Sequence, residues 1–275
     1  MVDRAEVTRL GEGLGSEGRI APAAIERTAA AIRGMAEEAR REGARAIAAV
    51  GTAGLRMAPN RAEALAAFEA ASGLRVEVIS GEEESRLAYV ATVEGLDAAE
   101  GPIVVFDTGG GSTQFTFGHG ARVDDRFSVD VGAVRYTERF GLDRAVSPQV
   151  LRTALDAIAH DLARLDGRAS PRALVGMGGA ITNITAVMHG LATYDPARVQ
   201  GSVLARSEVD RQIELYCARD ADGRREIVGL QPKRAEVILA GACIVRTVME
   251  KLGQQAVIVS DRGLRHGVLA ERFGA

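Results

Sequence analysis

A run of three glycines between two strand-like segments constrains the fold of this chain more than any other feature of its sequence. The segment Asp107–Thr113 (DTGGGST) follows the apolar run Ile103–Phe106 and precedes Gln114–Phe117, in which polar and aromatic residues alternate. The first pattern is typical of a buried strand and the second of a half-buried strand. We therefore predict a β-hairpin with the glycines in its turn. Walker loops and dinucleotide-binding fingerprints lead into a helix instead, so both are excluded.

The composition of this turn favours binding of a phosphate. Three consecutive glycines leave the backbone N–H groups unobstructed by side chains, and such a loop can wrap closely around an anion. Asp107 at the mouth of the loop is a hard oxygen ligand suited to Mg²⁺, held through water, while Ser112 and Thr113 add hydroxyl donors. The alternative is a structural hairpin turn with a capping Asp, but such a turn needs fewer than three glycines.

Strand-like and helix-like segments alternate along the rest of the chain, which predicts the α/β fold class. Helices are predicted at residues 22–41, 61–71, 82–94, 134–140, 148–165, 180–189, 208–219 and 233–252, with one more after residue 263. Strands are predicted at residues 46–50, 74–78, 103–106, 114–117, 122–131, 173–175 and 256–259. The polar connection Gly95–Gly101 is the candidate boundary between a first domain (residues 1–100) and a second domain (residues 101–275).

The overall composition excludes several classes of protein. The chain has 275 residues and a formal net charge of −3, so no basic excess indicates binding to nucleic acid. Two cysteines are too few for a disulfide scaffold and argue against a cysteine-rich zinc site. No apolar run is long enough to cross a bilayer and no secretory signal is visible, so we expect a cytoplasmic protein without a membrane partner.

Three further features carry candidate functional residues, and each has a structural alternative. Gly81–Arg86 (GEEESR) places three acids at a helix N-terminus, where the helix dipole alone favours them, although a carboxylate facing a phosphate loop can also activate water. In Val175–Ala180 (VGMGGA) a strand ends in glycines and opens a helix, which fits an anion site and a close packing turn equally. Arg56 is a weaker candidate for a phosphate contact, because the chain is rich in arginine.

Six segments together resemble one known family. In chain order they are residues 52–60 (TAGLRMAPN), 78–87 (VISGEEESRL), 104–117 (VVFDTGGGSTQFTF), 129–140 (VDVGAVRYTERF), 175–182 (VGMGGAIT) and 259–269 (VSDRGLRHGVL). In this order they resemble the short form of the exopolyphosphatase/guanosine pentaphosphate phosphohydrolase (Ppx/GppA) family, within the actin-like ATPase superfold. The resemblance implies two ribonuclease-H-like domains with a cleft between them, the final helix packing near the hinge, and assembly as a homodimer. It further implies Mg²⁺-dependent hydrolysis of a terminal phosphoanhydride, with polyphosphate or guanosine penta- or tetraphosphate as the bound partner.

The resemblance also implies roles for individual residues. The general base falls in the GEEE segment, with Glu83 as the first choice and Glu84 as the alternative. Asp107 resembles the metal-associated aspartate of the family. The residues that resemble its phosphate-binding positions are Arg56, Gly109, Gly110, Gly111, Ser112, Gly178 and Gly179.

Two departures from the family pattern bear on activity. The family opens with a hairpin that carries a first phosphate loop of the D-x-G-S-N-S type, whereas this chain begins at a stretch that resembles the segment after that hairpin, so its first domain looks truncated at the N-terminus. Either the start codon lies further upstream, which we favour, or the protein is truncated and inactive. The family usually has Glu at the position of Gln114, and Gln cannot take a proton but can orient water through its amide.

Three functions are open at this point. The first is the hydrolysis described above, in which the glycine amides and Mg²⁺ near Asp107 hold the terminal phosphate, Gln114 orients water and Glu83 accepts the proton. The second is a nucleoside tri- or diphosphatase of the same superfold, because the string GGGSTQ also resembles the phosphate loop of ecto-apyrases. The third is a catalytically weakened protein that binds polyphosphate or an alarmone, which Gln114 and the missing first loop both favour.

Overall fold

The chain forms two compact units in a computed structural model that describes residues 18–94, 101–120 and 122–274, together with residues 6, 8 and 10. Unit 1 contains the described residues up to Glu84 and those from Val268 onward, and unit 2 runs from Ser85 to Gly267. Residues 95–100 of the predicted boundary segment lie outside the described residues. The division at residue 100 and the place of the final helix near a hinge therefore stay predictions.

Helices and strands alternate as the α/β class requires. The helices are, in chain order, α1 (Pro22–Arg41), α2 (Ala53–Met57), α3 (Arg61–Ser72), α4 (Gly81–Glu94), α5 (Ala133–Phe140), α6 (Pro148–Asp161), α7 (Gly179–Met188), α8 (Pro196–Val199), α9 (Arg206–Cys217), α10 (Ala221–Arg225), α11 (Ile238–Lys251) and α12 (Leu264–Phe273). The strands are β1 (Ala49–Gly51), β2 (Val76–Val78), β3 (Pro102–Thr108), β4 (Thr113–His119), β5 (Arg122–Val129), β6 (Ala173–Met177), β7 (Val203–Ala205) and β8 (Ala256–Ser260). Short 3-10 turns occur at Ala163–Leu165 and Pro232–Arg234.

In unit 1, helices α1 and α3 pack against each other beside a two-stranded parallel sheet, β1–β2. Pro22 lies in the first turn of α1, where its missing N–H removes no helical hydrogen bond. Buried Ile25 on one face of α1 joins buried Phe68 of α3 in a shared core. Gly73 ends α3 in the left-handed conformation (φ +69°). The periodicity and end signals of the sequence therefore predicted both helices correctly.

Unit 2 is built on a six-stranded sheet with the strand order β5-β4-β3-β6-β8-β7. Strands β3, β6 and β8 run parallel, whereas β4, β5 and β7 are antiparallel to their neighbours. Parallel strands end at the same edge of a sheet, and ligands of open α/β sheets bind beyond that edge. The turn that follows β3 and the segment that follows β6 therefore both lie where such a sheet binds ligands.

Helix α11 is the centre of the unit 2 core. Its residues Ile238–Val245 are buried without exception, and α11 contacts α5, α6, α7 and α9. A helix surrounded on all sides has no polar face, which explains the continuous apolar run in its sequence. In the described part of the chain, no helix combines the length and the apolar composition needed to cross a bilayer.

Several elements differ from the sequence-based expectation. The predicted helix at 148–165 ends at Asp161 and continues as a 3-10 turn, and the one predicted at 233–252 begins only at Ile238 because Pro232 opens a separate 3-10 turn. Strand β7 and helices α2, α8 and α10 were not predicted. Each has five residues or fewer, too short for a periodic pattern, and β7 forms because it can pair with β8.

The N-terminus of α5 docks directly onto the glycine turn between β3 and β4. The backbone N–H groups of Ala133 and Val134 donate to the carbonyl oxygens of Gly109 and Gly110, both at 2.9 Å. Gly132, just before the helix, allows this approach: a Cβ atom there would lie 2.4 Å from the Gly110 oxygen and 2.4 Å from the Gly111 carbonyl carbon. The Gly132 backbone is extended (φ −143°), so the requirement for glycine is purely steric.

We expect Gly132→Ala to displace α5 from the glycine turn and to lower the free energy of unfolding by about 2 kcal/mol, as overpacking typically does. Urea denaturation followed by circular dichroism measures the change. Gly111→Ala is the matched control in the same turn, because a Cβ placed there has no atom within 4 Å among the residues that the structure describes. Equal destabilisation by both variants would contradict this account of the docking.

Candidate active site

The glycine turn has the geometry that its sequence predicted. Strands β3 and β4 pair in antiparallel register up to Thr108 opposite Thr113, and the Gly109 N–H closes the turn by donating to the Ser112 carbonyl oxygen at 2.9 Å. Within the described residues, the N–H groups of Gly110, Gly111 and Ser112 donate to no protein group. Successive unpaired amides of this kind form a concave donor surface for an anion.

Asp107 lies at the end of β3, where Gly178 packs against it. Asp107 is in register with Met177, the last residue of β6, and Gly178 follows with φ +90°. A Cβ atom on Gly178 would lie 2.2 Å from Asp107 Oδ1 and 3.3 Å from the Thr108 carbonyl oxygen. Gly178 thus needs to be glycine both for its backbone conformation and for the space that the Asp107 carboxylate occupies.

The next glycine lies against an arginine that the sequence analysis missed. A Cβ atom on Gly179 would lie 2.5 Å from a terminal nitrogen of the Arg234 guanidinium group. Arg234 and Ala180 line a small pocket together with Thr108, Gly109 and Gly110 of the β3–β4 turn. No local pattern identifies Arg234 in a chain this rich in arginine. Its position depends on the 3-10 turn that precedes α11.

The three polar residues after the glycines have different partners. Thr113 is fully buried and its hydroxyl donates to the Val131 carbonyl oxygen at 2.6 Å. This bond holds the segment that follows β5, so the Thr113 hydroxyl proton is already used and cannot serve a phosphate as expected. Gln114 Nε2 donates to Ser112 Oγ at 2.7 Å. Gln114 and Ser112 therefore form one polar pair beside the turn.

Unit 1 holds the remaining sequence-predicted residues at the start of α4. Ser80 accepts a hydrogen bond from the Glu83 N–H at 3.0 Å and so caps the helix. Arg56 Nη1 donates to the Ile79 carbonyl oxygen at 3.0 Å and to Glu84 Oε2 at 2.7 Å. The Glu84 carboxylate is thus held by a guanidinium group. Glu83 is half-buried in the first turn of the same helix.

The structure therefore groups the sequence-predicted residues in two sets. Unit 1 brings Arg56 and Glu84 into direct contact, with Glu83 on the same helical turn as Glu84. Unit 2 brings together Asp107, the β3–β4 turn, Gly178 and Gly179 at the carboxyl edge of its sheet. Gly132 and Arg234 complete the second set, and the sequence analysis assigned a role to neither.

Asp107 beside the turn is a hard oxygen ligand of the type that could hold Mg²⁺. Among the described residues, no three His, Cys, Asp or Glu side chains cluster as ligands for a metal ion. Mg²⁺ usually takes one or two protein carboxylates and completes its shell with water and substrate phosphates. Asp107, the carboxylate next to the turn, could supply one such ligand.

Comparison with known proteins identifies the family of the chain. The model of the Ppx/GppA phosphatase family matches residues 1–274. Exopolyphosphatase 2 of Mycobacterium tuberculosis is 30% identical over 290 aligned positions, which cover 98% of this chain and 88% of the relative. A bifunctional 3-dehydroquinate synthase/phosphatase of Fusobacterium nucleatum is 29% identical over 203 positions, and the match spans 72% of this chain but only 30% of that protein.

Solved structures show the same fold. The Ppx/GppA phosphatase of Aquifex aeolicus superposes with a TM-score of 0.88 at 30% identity, over 99% of this chain and 90% of that one. An exopolyphosphatase of Cytophaga hutchinsonii, at 20% identity, superposes with a TM-score of 0.84 over 99% of this chain and 89% of that one. The expected α/β fold of the actin-like ATPase type is confirmed. This chain belongs to the Ppx/GppA phosphatase family, a family of phosphoanhydride hydrolases.

Proposed function

We propose that the chain releases orthophosphate from the end of inorganic polyphosphate, that is, that it is an exopolyphosphatase. The observation that carries the proposal is the β3–β4 turn, whose Gly110, Gly111 and Ser112 amides are unpaired within the described residues and lie beside the Asp107 carboxylate at the carboxyl edge of the sheet. The similarity to exopolyphosphatase 2 over 98% of the chain supports polyphosphate as the substrate.

The residues of unit 2 have complementary tasks in this proposal. The unpaired amides bind the equatorial oxygens of the terminal phosphoryl group, where negative charge is spread in the transition state. Asp107 would hold Mg²⁺, which supplies charge neutralisation to the phosphates when bound. The Gln114–Ser112 pair orients the attacking water, because the amide and the hydroxyl both offer an acceptor oxygen at fixed separation from the turn.

Glu83 is the better choice for the general base. The family resemblance places the base in the GEEE segment, and the Glu84 carboxylate of that segment accepts a hydrogen bond from the Arg56 guanidinium group at 2.7 Å, which fixes its position. We therefore assign proton acceptance to Glu83, and to Arg56 the placement of Glu84 together with a contact to the substrate anion.

Guanosine pentaphosphate is the second candidate substrate, and nucleoside tri- or diphosphates the third. The Gln114–Ser112 pair favours nucleoside tri- or diphosphates, because an amide at this position is the feature that the turn shares with ecto-apyrases.

We expect phosphate release from polyphosphate in the presence of Mg²⁺ to exceed release from guanosine pentaphosphate, GTP or ATP. A malachite-green assay at equal concentrations of phosphoanhydride bonds measures this order. Tight binding of polyphosphate without phosphate release would identify a binding protein instead.

Glu83→Gln tests the general base. We expect kcat to fall roughly 10²–10⁴-fold, because the variant keeps the shape of the side chain but cannot accept a proton. Affinity for polyphosphate should stay near that of the wild type. Glu82→Gln, one residue earlier in the same acidic turn, is the control and should retain kcat. A Glu83→Gln variant with wild-type kcat would exclude Glu83 as the base.

Asp107→Asn tests the metal assignment. The variant removes the charge of a hard oxygen ligand without changing its size, so the response of phosphate release to added Mg²⁺ should be lost or shifted to much higher concentration. EDTA should stop the wild-type enzyme, and restored Mg²⁺ should recover it. Asp156→Asn, at an exposed position of α6, controls for loss of a carboxylate elsewhere. An unchanged Mg²⁺ titration in Asp107→Asn would refute the role.

A further inference from the structure

Helix α5 cannot offer its own N-terminus to the substrate. The first N–H groups of a helix normally attract an anion through their partial positive charge. In α5 these groups are already used: Ala133 N donates to Gly109 O, and Val134 N and Arg135 N both donate to Gly110 O, the last at 3.2 Å. Positive charge on this side of the β3–β4 turn must therefore come from a side chain.

Two arginines lie at the turn in the described structure: Arg234 lines a pocket with Gly109 and Gly110, and Arg135 lies at Gly111. Its Nε donates to the Gly111 carbonyl oxygen at 3.3 Å, which fixes the guanidinium group at the turn. The side chain is 54% exposed, and its Nη2 lies 4.0 Å from the carboxylate of Asp130, itself 86% exposed. A pair at this distance and exposure is strongly screened by water. The terminal nitrogens of Arg135 therefore keep most of their capacity to bind an anion.

The space beside this guanidinium group is open. No atom of the described residues lies within 4 Å of a Cβ placed on Gly111, whereas a Cβ on Gly110 would meet Val134 at 3.1 Å. A ligand held by the turn can thus extend over Gly111, on the side of Arg135, and not over Gly110. Arg135, bound to the Gly111 carbonyl oxygen, lies at this open side of the turn.

The neighbouring arginine of the same helix is placed differently. Arg139 has the same side-chain exposure, 54%, but its Nη1 donates to Asp161 Oδ2 at 3.2 Å and its guanidinium carbon lies 5.0 Å from the centre of the Phe140 ring. Its charge is compensated and its position is fixed by contacts away from the turn. Arg139 is therefore a matched control for Arg135, one helical turn apart.

We propose that the guanidinium group of Arg135 binds the phosphoryl group next to the one held by the β3–β4 turn, and so makes the site select linked phosphates over a single phosphate. The inference rests on the proposed function and names a specificity residue for it. A guanidinium group suits this task because it presents paired N–H donors to two phosphate oxygens.

Binding of two stable probes tests the proposal without turnover. Imidodiphosphate carries two linked phosphoryl groups and resists hydrolysis, whereas orthophosphate carries one. In calorimetric titrations with Mg²⁺, Arg135→Met should weaken imidodiphosphate binding roughly 10- to 100-fold, the usual effect of losing a charged hydrogen bond, and leave orthophosphate binding nearly unchanged. Arg135→Lys should fall between, because it keeps the charge and loses the paired donors. Arg139→Met should bind both probes like the wild type.

Each result separates this inference from the function on which it rests. Equal affinity of Arg135→Met and the wild type for imidodiphosphate, or an equal loss for both probes, overturns the role of Arg135 while the wild type still releases phosphate from polyphosphate. A wild type that neither binds the probes nor releases phosphate overturns the proposed function and this inference together. In the assay, the supporting result is a raised KM for polyphosphate with a smaller change in kcat.

Discussion

The hydrogen bonds between the glycine turn and the first turn of α5 are the constraint on which the unit 2 site depends. Two adjacent carbonyl oxygens, of Gly109 and Gly110, point at the helix and accept from its first three N–H groups. Within the part of the chain that the structure describes, the amides of Gly110, Gly111 and Ser112 have no protein partners. The N-terminus of α5 thus binds the carbonyl oxygens of the turn and orients it. The oriented turn presents its N–H donors to the ligand.

Steric constraints also explain the glycines outside the turn. Gly132 lets the backbone of α5 approach the turn, and Gly178 leaves room for the carboxylate of Asp107. In each case a single methyl group would collide with a group that the proposed chemistry needs at a fixed place. By contrast, Gly111 has open space around it, which fits a position that faces ligand and not protein. Glycine therefore serves two purposes here, close packing at Gly132 and Gly178 and free access at Gly111.

Sequence patterns predicted what is local and missed what is created by contact between distant segments. The hairpin around the glycines, helix α1 with its exact bounds and the buried strands β3 and β6 follow from periodicity and from end signals within each segment. Arg234 could not be found in this way, because its neighbour Gly179 lies 55 positions earlier and only the fold brings them together. The Thr113 hydroxyl illustrates the reverse case. Its residue type suggested a ligand donor, but pairing of β4 with β5 buries it against Val131.

The net charge of the chain did not indicate an anionic ligand, because the contacts of individual arginines depend on the fold. The chain carries −3 overall, yet what an anion meets depends on which guanidinium groups have other partners. Arg224 is fully buried and donates to the carbonyl oxygens of Leu142, Tyr216 and Arg144, so it fixes the chain after α5 and offers nothing to a ligand. Arg139 is neutralised by Asp161. Arg135 differs because a backbone carbonyl holds it, and a neutral acceptor positions a guanidinium group without cancelling its charge.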